Sequence, residues 1–120
     1  MDAIFVEARA FTQVVEEYFG SDETYSAFQH FLARSPESGR VIAGCGGLRK
    51  VRWADPRRGK GKRGGLRIIY LYIPEAQRFF MLDVYDKDEA EDLSPADRAR
   101  LAQLAAEYKE RVLANLRGRG

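Results

Sequence analysis

The chain has one cysteine, Cys45, one histidine, His30, and one tryptophan, Trp53. A single cysteine closes no internal disulfide, the usage of a reducing compartment. No histidine lies near Cys45 in sequence to activate it, so it reads as a small buried or turn residue. A lone histidine cannot form the His–His pair of conventional ribonuclease acid–base chemistry. Helical spacing also turns His30 to the polar side of its segment, as a surface residue. There is no Cys/His metal spacing, and the acids of 86–92 sit in one connector without a partner, so neither a metal nor a cofactor is expected. Apolar runs are short of the roughly 18 residues that a bilayer-spanning helix needs. The N-terminal MDAIFVEARAF lacks the basic and apolar regions of a secretory signal. Together these absences lead us to expect a cytoplasmic protein with no membrane partner.

At 120 residues, 45% apolar and 32% charged, the chain is expected to form one globular domain, 1–120, with a real core. Its formal charge is only +2, but the cations are unevenly spread. The stretch LRKVRWADPRRGKGKRGGLRIIY, Leu48 to Tyr70, holds Arg49, Lys50, Arg52, Arg57, Arg58, Lys60, Lys62, Arg63 and Arg67 against one acid, Asp55. Its ends read as strands, Leu48–Trp53 and Leu66–Ile73. Pro56, Gly59, Gly61, Gly64 and Gly65 break the middle into a loop. Such a loop is open to two readings, a solvated hairpin tip or a surface for a polyanion. Period two puts Lys50 and Arg52 on one strand face and Arg49, Val51 and Trp53 on the other. Adjacent cations on one face repel, an arrangement that a visiting anion would relieve.

Elsewhere the pattern predicts a first strand at Ala3–Val6 and a helix with Phe11, Val14, Val15 and Tyr18 on one face, ended by Gly20. A second helix, about Glu23 to Arg34, carries Tyr25, Phe28 and Leu32 inward, with Phe31 beside them, and Ser35-Pro36 stops it. The connection 37–47 is turn-rich. Its Gly44-Cys45-Gly46-Gly47 lacks the Lys-Ser/Thr of a phosphate loop and reads as a tight turn. Leu66–Ile73 and Arg78–Tyr85 form a hairpin with apolar residues on both faces, Arg67 and Asp83 excepted. Ser94, Pro95 and Asp97 open a last helix. Its expected inward stripe is Leu101, Leu104, Ala105, Tyr108 and Val112. The order β-α-α-β-β-β-α predicts an α+β fold: a small antiparallel sheet with two N-terminal helices and one C-terminal helix packed on one face. The other face or its rim is left to the basic residues.

This order, with GLRKVR, GKGKRGGLRIIY and YDKDEAEDLS, resembles the RelE/HigB family of bacterial type II toxins in the RelE/ParE superfamily, and is most like the HigB branch. That branch carries a GKGKRGG-like loop before an R-[IV]-[IV]-Y strand and a Y-x-K-x-E-x-x-D-L segment before the last helix. The resemblance covers nearly the whole chain. It implies a small endoribonuclease (hydrolase) that enters the 30S A site of the bacterial ribosome, cuts mRNA there and inhibits translation. It also implies a HigA-like helix-turn-helix antitoxin as partner, and a monomer when free. By the family pattern, Lys50 and Arg52 match the paired basic residues before the loop, Arg67 the arginine opening the next strand, and Lys87 a basic residue after the last strand. Asp88 departs from the pattern where some members have a base. The loop with Lys60, Lys62 and Arg63 is longer than in the RelE branch, so catalytic duties can move onto it.

The chemistry expected is cationic. Arg67 would stabilise charge building on the phosphate. A lysine amid other cations gives up its proton more readily, making Lys50, Lys60 or Lys62 a candidate base. Arg52, Arg63 and Lys87 would hold the RNA backbone with Arg49, Arg57 and Arg58 nearby. Lys87 is also a candidate in the catalytic set. Tyr85 or Trp53 would stack on a base, or simply belong to the core. Three other readings stay open: a ParE-like gyrase inhibitor, a non-catalytic basic nucleic-acid-binding module, and a degenerate toxin that still binds its antitoxin.

Overall fold

A computed structural model describes residues 3–56, 65–87 and 93–118. Strand β1 is Ile4–Glu7, helix α1 Arg9–Phe19, helix α2 Asp22–Arg34, strand β2 Arg40–Val41, strand β3 Arg49–Trp53, strand β4 Leu66–Ile73, strand β5 Arg78–Asp86 and helix α3 Pro95–Gly118. The strands form one sheet in the order β1-β5-β4-β3-β2. This is the α+β architecture expected, with three helices among the described residues. Two details differ from the expectation. The sheet is mixed, because β1 runs parallel to β5, with Ile4 against Arg78 and Glu7 against Met81. A short strand, β2, also lies within the 37–47 connection and pairs Arg40 with Lys50 and Val41 with Arg49.

The helices end where local chemistry ends them. At the start of α2 the Ser21 hydroxyl accepts from the Thr24 N–H, and at the start of α3 the Ser94 hydroxyl accepts from the Asp97 N–H. Gly20 closes α1, its N–H donating to the Glu16 carbonyl, and Ser35 closes α2. Three glycines with positive φ, Gly44, Gly46 and Gly47, make the hairpin turn between β2 and β3, the tight turn expected there.

The helices do not share one face of the sheet, as the sequence suggested. On one side α1 and α2 place Phe11, Tyr18, Phe19, Phe28 and Leu32 against Ile68, Tyr70, Phe79, Met81 and Val84. On the other, α3 places Leu101, Ala105 and Val112 against Ile69, Leu71, Phe80, Leu82 and Tyr85. The cause is the double-sided apolar hairpin β4–β5, which needs cover on both faces. Register shifts at Ile69/Tyr70: Ile69 faces Asp83 and Tyr70 faces Met81. The extra residue, Leu82, is a β-bulge that keeps Leu82 and Tyr85 both in the α3 core. Leu104 was expected in the α3 stripe and is instead 40% exposed, on the solvent flank of the helix. His30 is exposed, as expected.

Two predictions follow from this packing. Phe28 is fully buried and touches the rings of Phe19 and Trp53. Phe28→Ala is expected to cost about 3–5 kcal/mol in a urea titration, whereas Leu104→Ser changes stability by less than about 0.5 kcal/mol. The second concerns Asp83, whose carboxyl burial pushes above its ordinary value, while Arg100 opposes that shift and Asp97 adds to it. The folded state therefore holds this proton more tightly than the unfolded chain. Its contribution is full at a pH below the ordinary carboxylate value and is lost as pH rises through the raised one. Titrated at successive pH values, Asp83→Asn should gain stability over wild type as pH rises from 3 to 6.

Candidate nucleic-acid interface

Cross-strand register assembles the site. Arg52 lies directly opposite Arg67, and Arg67 in turn lies opposite Tyr85. One step along, Arg40 is opposite Lys50 and Lys50 opposite Ile69. Residues in register share a face, so Arg40, Lys50, Arg52 and Arg67 all belong to the α3 face of the sheet. They occupy the β3 side of that face, where Arg40 and Arg52 are exposed and Lys50 and Arg67 half-buried. Strand β2 begins opposite Lys50, and at this outer edge of β3 opens a cleft of about 500 Å³. It is lined by Phe31, Ser38, Arg40, Lys50, Val51 and Arg52. Like charges directly opposite each other across a strand pair disfavour it, and Arg52 and Arg67 stand so placed, a position in which both could meet one anion.

The remaining expected residues are spread more widely. Lys87 is exposed just past the end of β5, its N–H held by the Gly65 carbonyl at 2.9 Å. Tyr85 ends the Arg52–Arg67 row but is buried in the α3 core. Trp53 points to the opposite face and packs on Phe28 and Phe31. Arg49 shares that face and is engaged at 2.8 Å by the Gly39 carbonyl and at 3.2 Å by that of Glu37. Arg57, Arg58, Lys60, Lys62 and Arg63 lie outside the described residues, as does Asp88. Two carboxylates, Asp55 and Asp86, are 1% and 6% exposed at the same end of the sheet, and both are engaged in contacts there.

Arg40 is the site residue that sequence reasoning missed. It is the sole cation of the 37–47 connection. The alternation Arg40-Val41-Ile42 was the available signal, too short to stand out from the turn residues around it. Among the described residues, no group of three or more His, Cys, Asp and Glu side chains could hold a metal ion. No helix described is long and apolar enough to cross a membrane.

The isolated RelE toxin of E. coli superposes on 86% of this chain and 99% of its own length, with 15% identity and a TM-score of 0.50. An arginine-substituted E. coli RelE bound to a peptide of the antitoxin RelBc matches 79% of this chain and 98% of its own, at 14% identity and TM-score 0.51. The chain has the RelE toxin fold. No protein-family model matches the sequence. At this identity the likeness to RelE is one of architecture, so the functional argument rests on the cations themselves.

If Arg40, Lys50, Arg52 and Arg67 bind a polyanion together, removing any one should weaken binding to single-stranded RNA and flatten its salt dependence. For Arg52→Ala, the slope of log K against log salt should fall by about 0.7. Fluorescence anisotropy over a salt series measures this, and an unchanged slope would remove Arg52 from the interface.

Proposed function

We propose that this protein is the toxin of a type II toxin–antitoxin system, a ribosome-dependent endoribonuclease that cuts mRNA in the A site. The observation that carries the reading is the Arg52–Arg67 pair flanked by Lys50 and Arg40 at the open edge of β3. A surface that only docks a protein has no need to press like charges together across two strands. A phosphodiester does need such a surface, because its transition state gathers negative charge on the phosphate oxygens.

In this reading the 2′-hydroxyl loses a proton and attacks the adjacent phosphorus, and the 5′-oxygen leaves. Arg67 meets the phosphate, held from β4 and backed by the buried strand pair. Lys50 takes the proton from the 2′-hydroxyl, and Lys60 and Lys62 are the other candidates for that duty. Arg52 and Lys87 hold the neighbouring backbone. The ribosome supplies the extended mRNA and its orientation, so the protein needs to bring only charge and a base. The long basic loop and the R-I-I-Y strand favour a HigB-like toxin within this fold, with a HigA-like antitoxin as partner. RelE itself is known in complex with an antitoxin peptide, which makes a neutralising partner the natural companion here too.

Primer extension on an mRNA in a purified bacterial translation system tests the proposal. Wild type should give discrete cuts at A-site codons that need ribosomes. Arg67→Ala should reduce the cleavage rate by about 10²–10³, the loss typical of one well-placed transition-state donor. Intact mRNA with translation running would overturn the reading, and inhibition of gyrase supercoiling would then replace it.

A further inference from the structure

The R-I-I-Y strand contributes two functional ends, and only Arg67 has been used so far. The other end, Tyr70, is fully buried on the opposite face of the sheet. Its hydroxyl donates to the Pro36 carbonyl at 2.7 Å and accepts the Gly39 N–H at 3.0 Å. Burial raises the hydroxyl above its ordinary pKa, so it keeps its proton and its capacity to donate. Across the strand pair, Arg49 faces Tyr70, and its guanidinium donates to the carbonyls of Glu37 and Gly39. One buried hydroxyl and one guanidinium therefore grip the segment between α2 and β2 at Pro36, Glu37 and Gly39.

Gly39 fits this grip closely. A Cβ on Gly39 would sit 2.9 Å from Tyr70 Cε1, 3.0 Å from Tyr70 Oη and 3.1 Å from Arg49 Cβ. The residue after Gly39 is Arg40, which pairs with Lys50 and lines the same cleft. Strand β2 is only Arg40–Val41, too short to fix itself, and Val41 is exposed. Besides the pairing of β2 with β3, the segment leading into Arg40 is therefore a second hold on its position.

We infer that Tyr70 is the positioning residue for Arg40 of the cationic cleft, acting through the Pro36–Gly39 segment. The inference rests on the RNA-binding function proposed above. It divides the R-I-I-Y strand between its faces: Arg67 serves the phosphate site directly on one, and Tyr70 serves it from the other through the backbone of the α2–β2 connection. Tyr70→Phe keeps the buried ring and removes the two hydroxyl bonds.

The test pairs hydrogen exchange with a double-mutant cycle. In Tyr70→Phe, amide exchange at Gly39 and Arg40 should accelerate at least tenfold, while exchange in the β4–β5 core stays near wild type. Binding of a fluorescent single-stranded RNA should weaken at least about twofold in Tyr70→Phe, and by more in Arg40→Ala. In the Arg40→Ala background, adding Tyr70→Phe should have no further effect, the coupling expected of residues acting through one another. A purely structural tyrosine would weaken RNA binding equally in both backgrounds, and that result overturns the inference. So does unchanged exchange at Gly39 and Arg40. If Tyr70→Phe fails to fold, Gly39→Ala disturbs the same grip by pressing on the Tyr70 ring while leaving every charge and the hydroxyl in the chain, and the same cycle is run with it. A wild type that ignores RNA removes the proposed function and the role of Arg40 in it. Exchange at residues 39–40 then still reads whether Tyr70 holds the segment.

Discussion

A hairpin whose strands are apolar on both faces must be covered twice. In β4 and β5 the residues Ile68, Tyr70, Phe79, Met81 and Val84 form one layer, and Ile69, Leu71, Phe80 and Leu82 form another. Burying a large apolar side chain stabilises by about 1.5–3 kcal/mol, so either layer left to water would forfeit of the order of 10 kcal/mol, as much as a typical domain's whole net stability. This requirement explains why α1 and α2 take one side and α3 the other. It also confines charge to the places where the hairpin's apolar rows run out. Those places are the β3 side of the sheet and the end where Arg67 and Asp86 sit, and the basic residues collect there.

The cationic end is costly in isolation. Arg52 and Arg67 face each other directly, Arg40 faces Lys50, and like charges across a strand pair destabilise it. Asp55 and Asp86 are buried at the same end, and each is engaged there. Opposite charges that are close and desolvated interact far more strongly than exposed pairs such as Arg100–Asp97 on α3. A rigid strand pair carrying preorganised charge suits a reaction whose main demand is stabilising a phosphate in its transition state.

Much of this was readable from residue order, and the failures have physical causes. Period two located β3 and β4 and assigned Lys50 and Arg52 to one face, because strand alternation is a local rule. The capping Ser94 and the ends of α1 and α2 were visible for the same reason. Which sheet face each helix covers is not local. Leu101 and Phe28 carry similar stripes, and only the path of the chain decides that they lie on opposite sides. The parallel pairing of β1 was equally hidden, since Ile4–Glu7 meets Arg78–Met81 from the far end of the chain. In the site, the pairing of Arg52 with Arg67 follows from hairpin register, yet the basic loop between them hid it. Trp53 could not be separated from a stacking platform until Phe28 and Phe31 were placed against it. Arg40 escaped notice because two residues of strand are too few to show a period.

The parallel join of β1 to β5 has a consequence for how the molecule comes into being. Its partners are far apart in sequence, so the sheet has a large non-local component and the first strand has nowhere to dock until β5 exists. The cations in turn come from β2, β3 and β4, and β4 is buried only when β5 and α3 are present to sandwich it. During synthesis, therefore, the chain emerges with its charges made but unassembled. The fold thus brings the cations of β2, β3 and β4 into one surface only after β5 and α3 have joined them, so charge assembly is a late product of folding and not a property of the basic stretch itself.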